Sequence, residues 1–253
     1  MTETAWLWFY VVCMAAGFLL FYTWSRDPRK VPHYEYAAAM FIPVWSGLAY
    51  TAMALGQGTI EVNGETIHFA RYIDWIVTTP LLLFVLASSG MFFRPLDKTT
   101  IVTLIGLDVI MILSGLFADL SADGPAKWFW YINGCVCLLF IFGILWGRVR
   151  REAYAHNKEI GDSYTRIATF FSVLWLGYPT IWALGPSGLD VIGNLTETAM
   201  FVLLPIVSKV GFSIYDLHEL RKLAPKYPQF DEEDPDAKLR ETVAQSKWRD
   251  PAA

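Results

Sequence analysis

Charge is what this chain has least of. Asp, Glu, Lys and Arg make up only 17% of its 253 residues while 55% are hydrophobic, and the mean hydropathy of +0.37 is too high for an ordinary soluble domain. The net charge of −4 offers no basic surface to a nucleic acid. There is no zinc-ligand spacing and no glycine loop of the kind that cradles phosphate. The three cysteines, Cys13, Cys135 and Cys137, all fall inside apolar runs, where a free thiol behaves as a small hydrophobe. Neither a disulfide nor a metal site is expected.

What is abundant is long apolar sequence. Stretches able to cross about 30 Å of hydrocarbon run over Ala5–Tyr22, Tyr34–Leu55, Tyr72–Phe93, Thr99–Ala118, Trp128–Trp146, Ile167–Leu184 and Leu195–Tyr215. The expected fold is an all-α membrane protein, a bundle of seven transmembrane helices. No basic segment precedes the first stretch and no small-residue cleavage site follows it, so it is expected to be a retained helix. Basic residues gather in the first, third and fifth connections, at Arg26, Arg29, Lys30, Arg94, Lys98, Arg148, Arg150, Arg151, Lys158 and Arg166. The second, fourth and sixth carry little beyond Arg71 and Lys127, together with the acids Glu61, Glu65, Asp119, Asp123 and Asp190. The excess of positive charge on one side places the N-terminus outside and the C-terminus in the cytoplasm.

Two segments depart from the helical pattern. Residues 59–69 alternate on either side of Asn63-Gly64, which predicts a β-hairpin with a type I′ turn in the second, extracellular connection. His68 there is expected to be a surface residue rather than a ligand. From residue 223 the chain is polar, proline-punctuated and acidic, so residues 1–222 are expected to form the helical domain and 223–253 a partly disordered cytoplasmic tail.

Lys209 is the one basic residue in the middle of an apolar run. An ammonium at the centre of a bilayer costs from roughly 3 to more than 10 kcal/mol. Such a lysine is paired with another helix, snorkels to the interface, or is chemically used, for example as a Schiff base. A Schiff-base cation in low dielectric needs an anion beside it. Glu35, Asp74, Asp108, Glu197 and Asp216 lie within or near the ends of the spans.

Helical periodicity gives these acids different prospects. Asp74 shares a face with Arg71 and Thr78, and is either a counterion or half of a structural Arg71–Asp74 pair. Asp216 lies seven residues beyond Lys209, about 10 Å toward the cytoplasm on nearly the same face. There it could receive a proton or simply be an interfacial carboxylate at a helix end. Pro205, one turn before Lys209, cannot be a second anion and can kink the helix. Asp108 suits a hydrogen-bonded structural role better than proton relay, and Glu197 either serves an outer proton path or faces water. Trp75, Trp175, Tyr178 and Trp182 could line a slot for a flat apolar chromophore, although aromatic residues in a bundle also serve as plain core.

These residues together resemble the microbial (type 1) rhodopsins over nearly all seven helices. The block Arg71-Tyr72-Ile73-Asp74-Trp75-Ile76-Val77-Thr78-Thr79-Pro80 is similar to the family's third-helix signature, and Ser208-Lys209-Val210-Gly211-Phe212 to its retinal-attachment segment. Trp175, Tyr178, Pro179 and Trp182 are similar to its sixth-helix clamp. The resemblance implies all-trans retinal bound covalently through Lys209, with Asp74 as counterion. It places Tyr50, Trp75, Thr79, Met111, Trp175, Tyr178, Pro179 and Trp182 around the polyene, and Asp108 at a pocket position.

Three residues depart from the outward-pumping members. Val85 stands where those place a cytoplasmic proton donor, Pro205 where they place a second counterion, and Ser187 in place of one of the two release glutamates, the other being matched by Glu197. Pro205 with Asp216, and the blocks Glu35-Tyr36, Trp45-Ser46-Gly47-Leu48-Ala49-Tyr50 and Asp216-Leu217-His218, resemble the xenorhodopsin group. That likeness implies a light-driven inward proton pump of the plasma membrane, not an enzyme, with protons and lipid as its partners and a homotrimer as its assembly. The alternative is a photosensor that signals to a soluble cytoplasmic partner.

Overall fold

The computed structural model describes residues 2–62, 65–92 and 95–227. Seven helices among them are long and apolar enough to cross a membrane: α1 (Glu3–Ser25), α2 (His33–Ala54), α3 (Phe69–Met91), α4 (Lys98–Leu120), α5 (Pro125–His156), α6 (Lys158–Leu184) and α7 (Asn194–Leu223). Large apolar side chains such as Leu19, Val102, Phe129, Leu139 and Val173 point outward and are more than half exposed. Only hydrocarbon suits such a surface, and the chain is a multi-pass membrane protein.

The helices are not equally enclosed. In α3, 67% of the most apolar window is buried, against 22% in α5. The central helix is therefore α3, whose polar residues must find protein partners. Pro43, Pro80, Pro179 and Pro205 interrupt α2, α3, α6 and α7. Directly after Pro205, α7 widens into a π-helical stretch, Ile206–Gly211, and a second such stretch, Leu145–Val149, lies in α5. Each locally rotates the side chains that follow relative to a regular helix.

The expected seven-helix bundle and hairpin are both present. Strands β1 (Ile60–Val62) and β2 (Glu65–Ile67) pair antiparallel with Ile60 opposite Ile67 and Glu61 opposite Thr66. The Asn63-Gly64 turn and the tail from residue 228 lie outside the described residues. The hairpin is tied to α3 by the Ala70 N–H, which donates to the Gly58 carbonyl at 3.0 Å. Gly58 adopts φ +70°, and a Cβ there would collide with Ala70 Cβ, so both backbone and space require glycine.

One boundary differs from expectation. The apolar runs end at Trp146 and resume at Ile167, yet α5 continues to His156 and α6 starts at Lys158, leaving Asn157 alone as the connection. Hydropathy locates the edge of the lipid, whereas a helix can continue into water. Arg150 supports that extension by lying over the rings of Trp146 and Tyr154, and Asn157 caps α6 by accepting the Glu159 N–H at 2.8 Å.

Gly90 lies where α3 packs tightly against two neighbours. A Cβ there would collide with Val149 of α5 and come within 2.9 Å of the Tyr164 ring of α6. Gly90→Ala is expected to cost about 1–3 kcal/mol through overpacking. Thermal denaturation in detergent checks this, since an unchanged melting temperature would mean that the three helices have slack.

Candidate functional site

Lys209 sits in the π-helical stretch of α7, fully buried. Its Nζ donates to Asp74 Oδ2 at 2.5 Å and to Ser46 Oγ at 3.0 Å. Ser46 donates in turn to the same Asp74 oxygen at 2.9 Å. With its one proton committed, Ser46 must accept from Tyr10, whose hydroxyl lies 2.6 Å away. Thr78 Oγ1 reaches Asp74 Oδ1 at 3.3 Å and the Asp74 carbonyl at 2.8 Å. Asp74, Ser46 and Thr78 are all completely buried. The lysine does not snorkel, because its charge is met at the centre of the bundle by one carboxylate from α3 and one hydroxyl from α2, the latter held in turn by a tyrosine from α1.

Arg71 is placed otherwise than a structural pair with Asp74 would require. Its guanidinium lies 4.5 Å over the Phe201 ring, and its buried Nε has no hydrogen-bond partner. Tyr50 stacks on Tyr10 with centroids 3.7 Å apart and donates to the Phe201 carbonyl at 2.8 Å. This places Tyr50 beside the ion pair, as a brace for Tyr10.

Next to the pair lies a cavity walled mainly by rings. Trp75, Thr79, Met111, Trp175, Tyr178, Pro179 and Trp182 all line it, joined by Tyr72, Gly115, Gly134 and Phe201 among others; Tyr50 is not among the lining residues. Tyr178 and Ser208, the neighbour of Lys209, share a 2.6 Å hydrogen bond. Thr79 donates to Asp108 Oδ2 at 2.7 Å, while Asp108 Oδ1 and Trp75 Nε1 are buried without partners. An almost wholly apolar slot beside a lysine with a carboxylate fits a flat apolar molecule carrying an aldehyde, such as retinal.

Asp216 is fully buried in the last turns of α7, where Ser89 of α3 donates to its Oδ1 at 2.6 Å and Oδ2 has no partner. Glu35 of α2, equally buried and with both oxygens unpartnered, interacts with it electrostatically. One turn on, Glu219 binds Arg166 and Ser163 at 2.7 Å and Lys222 at 2.8 Å, which ties α6 to α7. Val85 and Pro205 are buried and bring no ionisable group. Sequence reasoning did not pick out Tyr10, Ser46 or Ser89 as site residues. Their signal was weak, a single hydroxyl in an apolar span, which is common.

These observations describe a seven-helix membrane protein that encloses an amine, a carboxylate and an aromatic cavity at its centre. The chain belongs to the bacteriorhodopsin-like family of microbial rhodopsins, since the family described as "Bacteriorhodopsin-like protein" matches residues 1–223. It is 34% identical over 216 residues to archaerhodopsin-3 of Halorubrum sodomense, covering 83% of this chain and 82% of that protein. Its structure is similar to that of the thermophilic rhodopsin from Rubrobacter xylanophilus, with a TM-score of 0.84, 30% identity and coverage of 88% of this chain and 98% of that one. The light-driven proton pump LR (Mac) from Leptosphaeria maculans gives a TM-score of 0.79 at 26% identity, covering 88% and 96%.

Removing one partner from the central pair should strand a buried charge. Asp74→Leu alone is expected to cost about 3–5 kcal/mol, and the double replacement Asp74→Leu with Lys209→Met much less. Comparing denaturation of the two variants checks the pairing; equal loss in both would show that the charges do not depend on each other.

A second prediction concerns the N-terminal end of α3. His68 Nε2 lies 3.1 Å from Glu3 Oε1, but Glu3 is 46% exposed and its charge is screened by water. Burial, reinforced by the Arg71 cation, prevails and pushes the imidazole from 6.5 down to about 4. Between these values the unfolded chain binds a proton that the folded one does not, so stability falls as pH drops through that window. His68→Gln should flatten this part of the profile of melting temperature against pH, and an unaltered profile would assign the dependence to other groups.

Proposed function

We propose that this protein is a light-driven inward proton pump of the xenorhodopsin group, with retinal bound through Lys209 and the C-terminus in the cytoplasm. The observation that carries the reading is the placement of carboxylates about Lys209. Asp74 is in direct contact, and Asp216 lies buried two turns toward the cytoplasm with an oxygen to spare. The light-driven proton pump from Leptosphaeria maculans supports pumping as the activity of this architecture.

Bound through Lys209, retinal supplies the isomerisation about its C13=C14 bond that changes where the lysine nitrogen points and how tightly it holds its proton. The residues then decide the direction. Asp74, beside the Lys209 nitrogen, already accepts hydrogen bonds from the hydroxyls of Ser46 and Thr78. The proton of the Lys209 nitrogen therefore leaves toward Asp216 and the cytoplasm. Val85 is an apolar wall where a returning proton would need a carrier. Reprotonation instead comes from outside, past Asp74, and one proton has moved inward.

Cells expressing the chain and supplied with all-trans retinal are expected to alkalinise their medium on illumination, and a protonophore should abolish the change. Asp216→Asn is expected to slow the photocycle and reduce inward flux, by up to about 100-fold if Asp216 is the proton acceptor. Acidification would overturn the direction. A coloured pigment that moves no protons in vesicles free of other proteins would overturn pumping and favour a sensor.

A further inference from the structure

Asp119 reads in sequence as one of the acids of an outer connection, but the structure gives it a different place. It lies in the last turn of α4, and both of its oxygens are engaged by the cavity wall. Tyr72 of α3 donates its hydroxyl to Asp119 Oδ2 at 2.5 Å, and Trp182 of α6 donates Nε1–H to Oδ1 at 2.6 Å. Both rings line the cavity. We infer that Asp119 is the positioning residue that sets the orientation of these two rings, and through them the shape and colour of the pigment site. The inference rests on the retinal reading above.

Packing alone would leave these rings freer. Tyr131 stacks on Trp182 with centroids 4.7 Å apart at 15°, and Tyr72 meets Trp75 edge-on at 5.3 Å. A stack defines the plane of a ring but tolerates sliding and turning within it, because its attraction is spread over the whole face. A hydrogen bond from the polar edge is directional and removes that freedom. Here each donor has a carboxylate oxygen to itself, so the two bonds do not compete. Helix α4 also makes the room: Gly115, one turn before Asp119, would place a Cβ 3.2 Å from Tyr72 Cε1. One face of α4 therefore supplies the space for one ring and the anchor for two.

A merely structural tie and a positioning role differ in what they move. The test uses the intact protein loaded with all-trans retinal, reading the absorption band and the rate at which hydroxylamine bleaches it in the dark. Asp119→Asn keeps the size of the side chain but offers one acceptor for two donors. It is expected to shift the band and to speed bleaching, by several-fold up to roughly thirtyfold for the hydrogen bonds weakened or lost. In a Tyr72→Phe, Trp182→Phe background the donors are already gone, so adding Asp119→Asn should shift the band no further. If Asp119→Asn does not assemble, the single variants Tyr72→Phe and Trp182→Phe must each shift the band.

An unchanged band and bleaching rate overturn the inference, even if the melting temperature falls. An equal shift in the background without donors also overturns it, because the carboxylate would then act through its charge rather than through the rings. Failure of the unsubstituted chain to form any pigment would instead overturn the retinal reading, and the inference with it.

Discussion

The structure depends on a positive charge that cannot reach water. Lys209 lies at the centre of seven apolar helices, and its ammonium is tolerated because Asp74 and Ser46 meet it there. Each partner comes with its own support: Tyr10 donates to Ser46, Tyr50 stacks on Tyr10, and Thr78 holds the other oxygen of Asp74. Residues from α1, α2, α3 and α7 are committed to this one cluster. A pair that is expensive to bury and more expensive to break is weak as a source of stability. It is strong as a specification, because few arrangements of the helices satisfy it.

The cavity follows from the same arrangement. Beside the pair the bundle is filled with rings whose polar edges are turned away from the slot toward partners at its margin: Tyr178 to Ser208, and Tyr72 and Trp182 to Asp119. The faces that remain are apolar, which suits a polyene, and among the lining side chains Trp75 Nε1 is a buried polar atom without a partner; Asp108, bonded to Thr79, is not among the lining residues. Rings tethered at their edges are held in position in a way that close packing alone does not ensure. Under the proposed reading that matters, because the occupant must change shape against these walls.

The two sides of Lys209 are chemically unequal, and under the proposed reading this inequality gives the transport its direction. One side presents Asp74, a carboxylate in contact with the lysine and with two hydroxyls. The other presents Asp216 and Glu35, buried with oxygens that no donor satisfies, beyond the apolar side chain of Val85. Unsatisfied buried carboxyl oxygens are costly and are retained where a proton or water must come and go. The Glu219 cluster binds α6 to α7 at the end of the bundle beyond Asp216 with ion pairs that water can reach, so this end can loosen at smaller cost than the centre.

Much of this was legible before any coordinates. Seven spans, the hairpin and the exceptional position of Lys209 follow from composition and period alone, because the cost of charge and of unpaired backbone in hydrocarbon restricts a chain so severely. Spacing likewise set Asp216 two turns beyond Lys209. The extent of α5 and α6 was not legible, since hydropathy registers lipid and not helix. Nor could spacing decide whether Asp74 faces Arg71 or Lys209, that Ser46 and Tyr10 complete the cluster, or that Asp119 joins two rings. Those residues lie on different helices, 28 to 163 positions apart in the paired bonds of the central cluster. The sequence by itself determined that a charge would be buried in a seven-helix bundle. Which groups meet it was decided by how the helices pack, because a hydrogen bond requires a distance and an angle that only the assembled bundle defines.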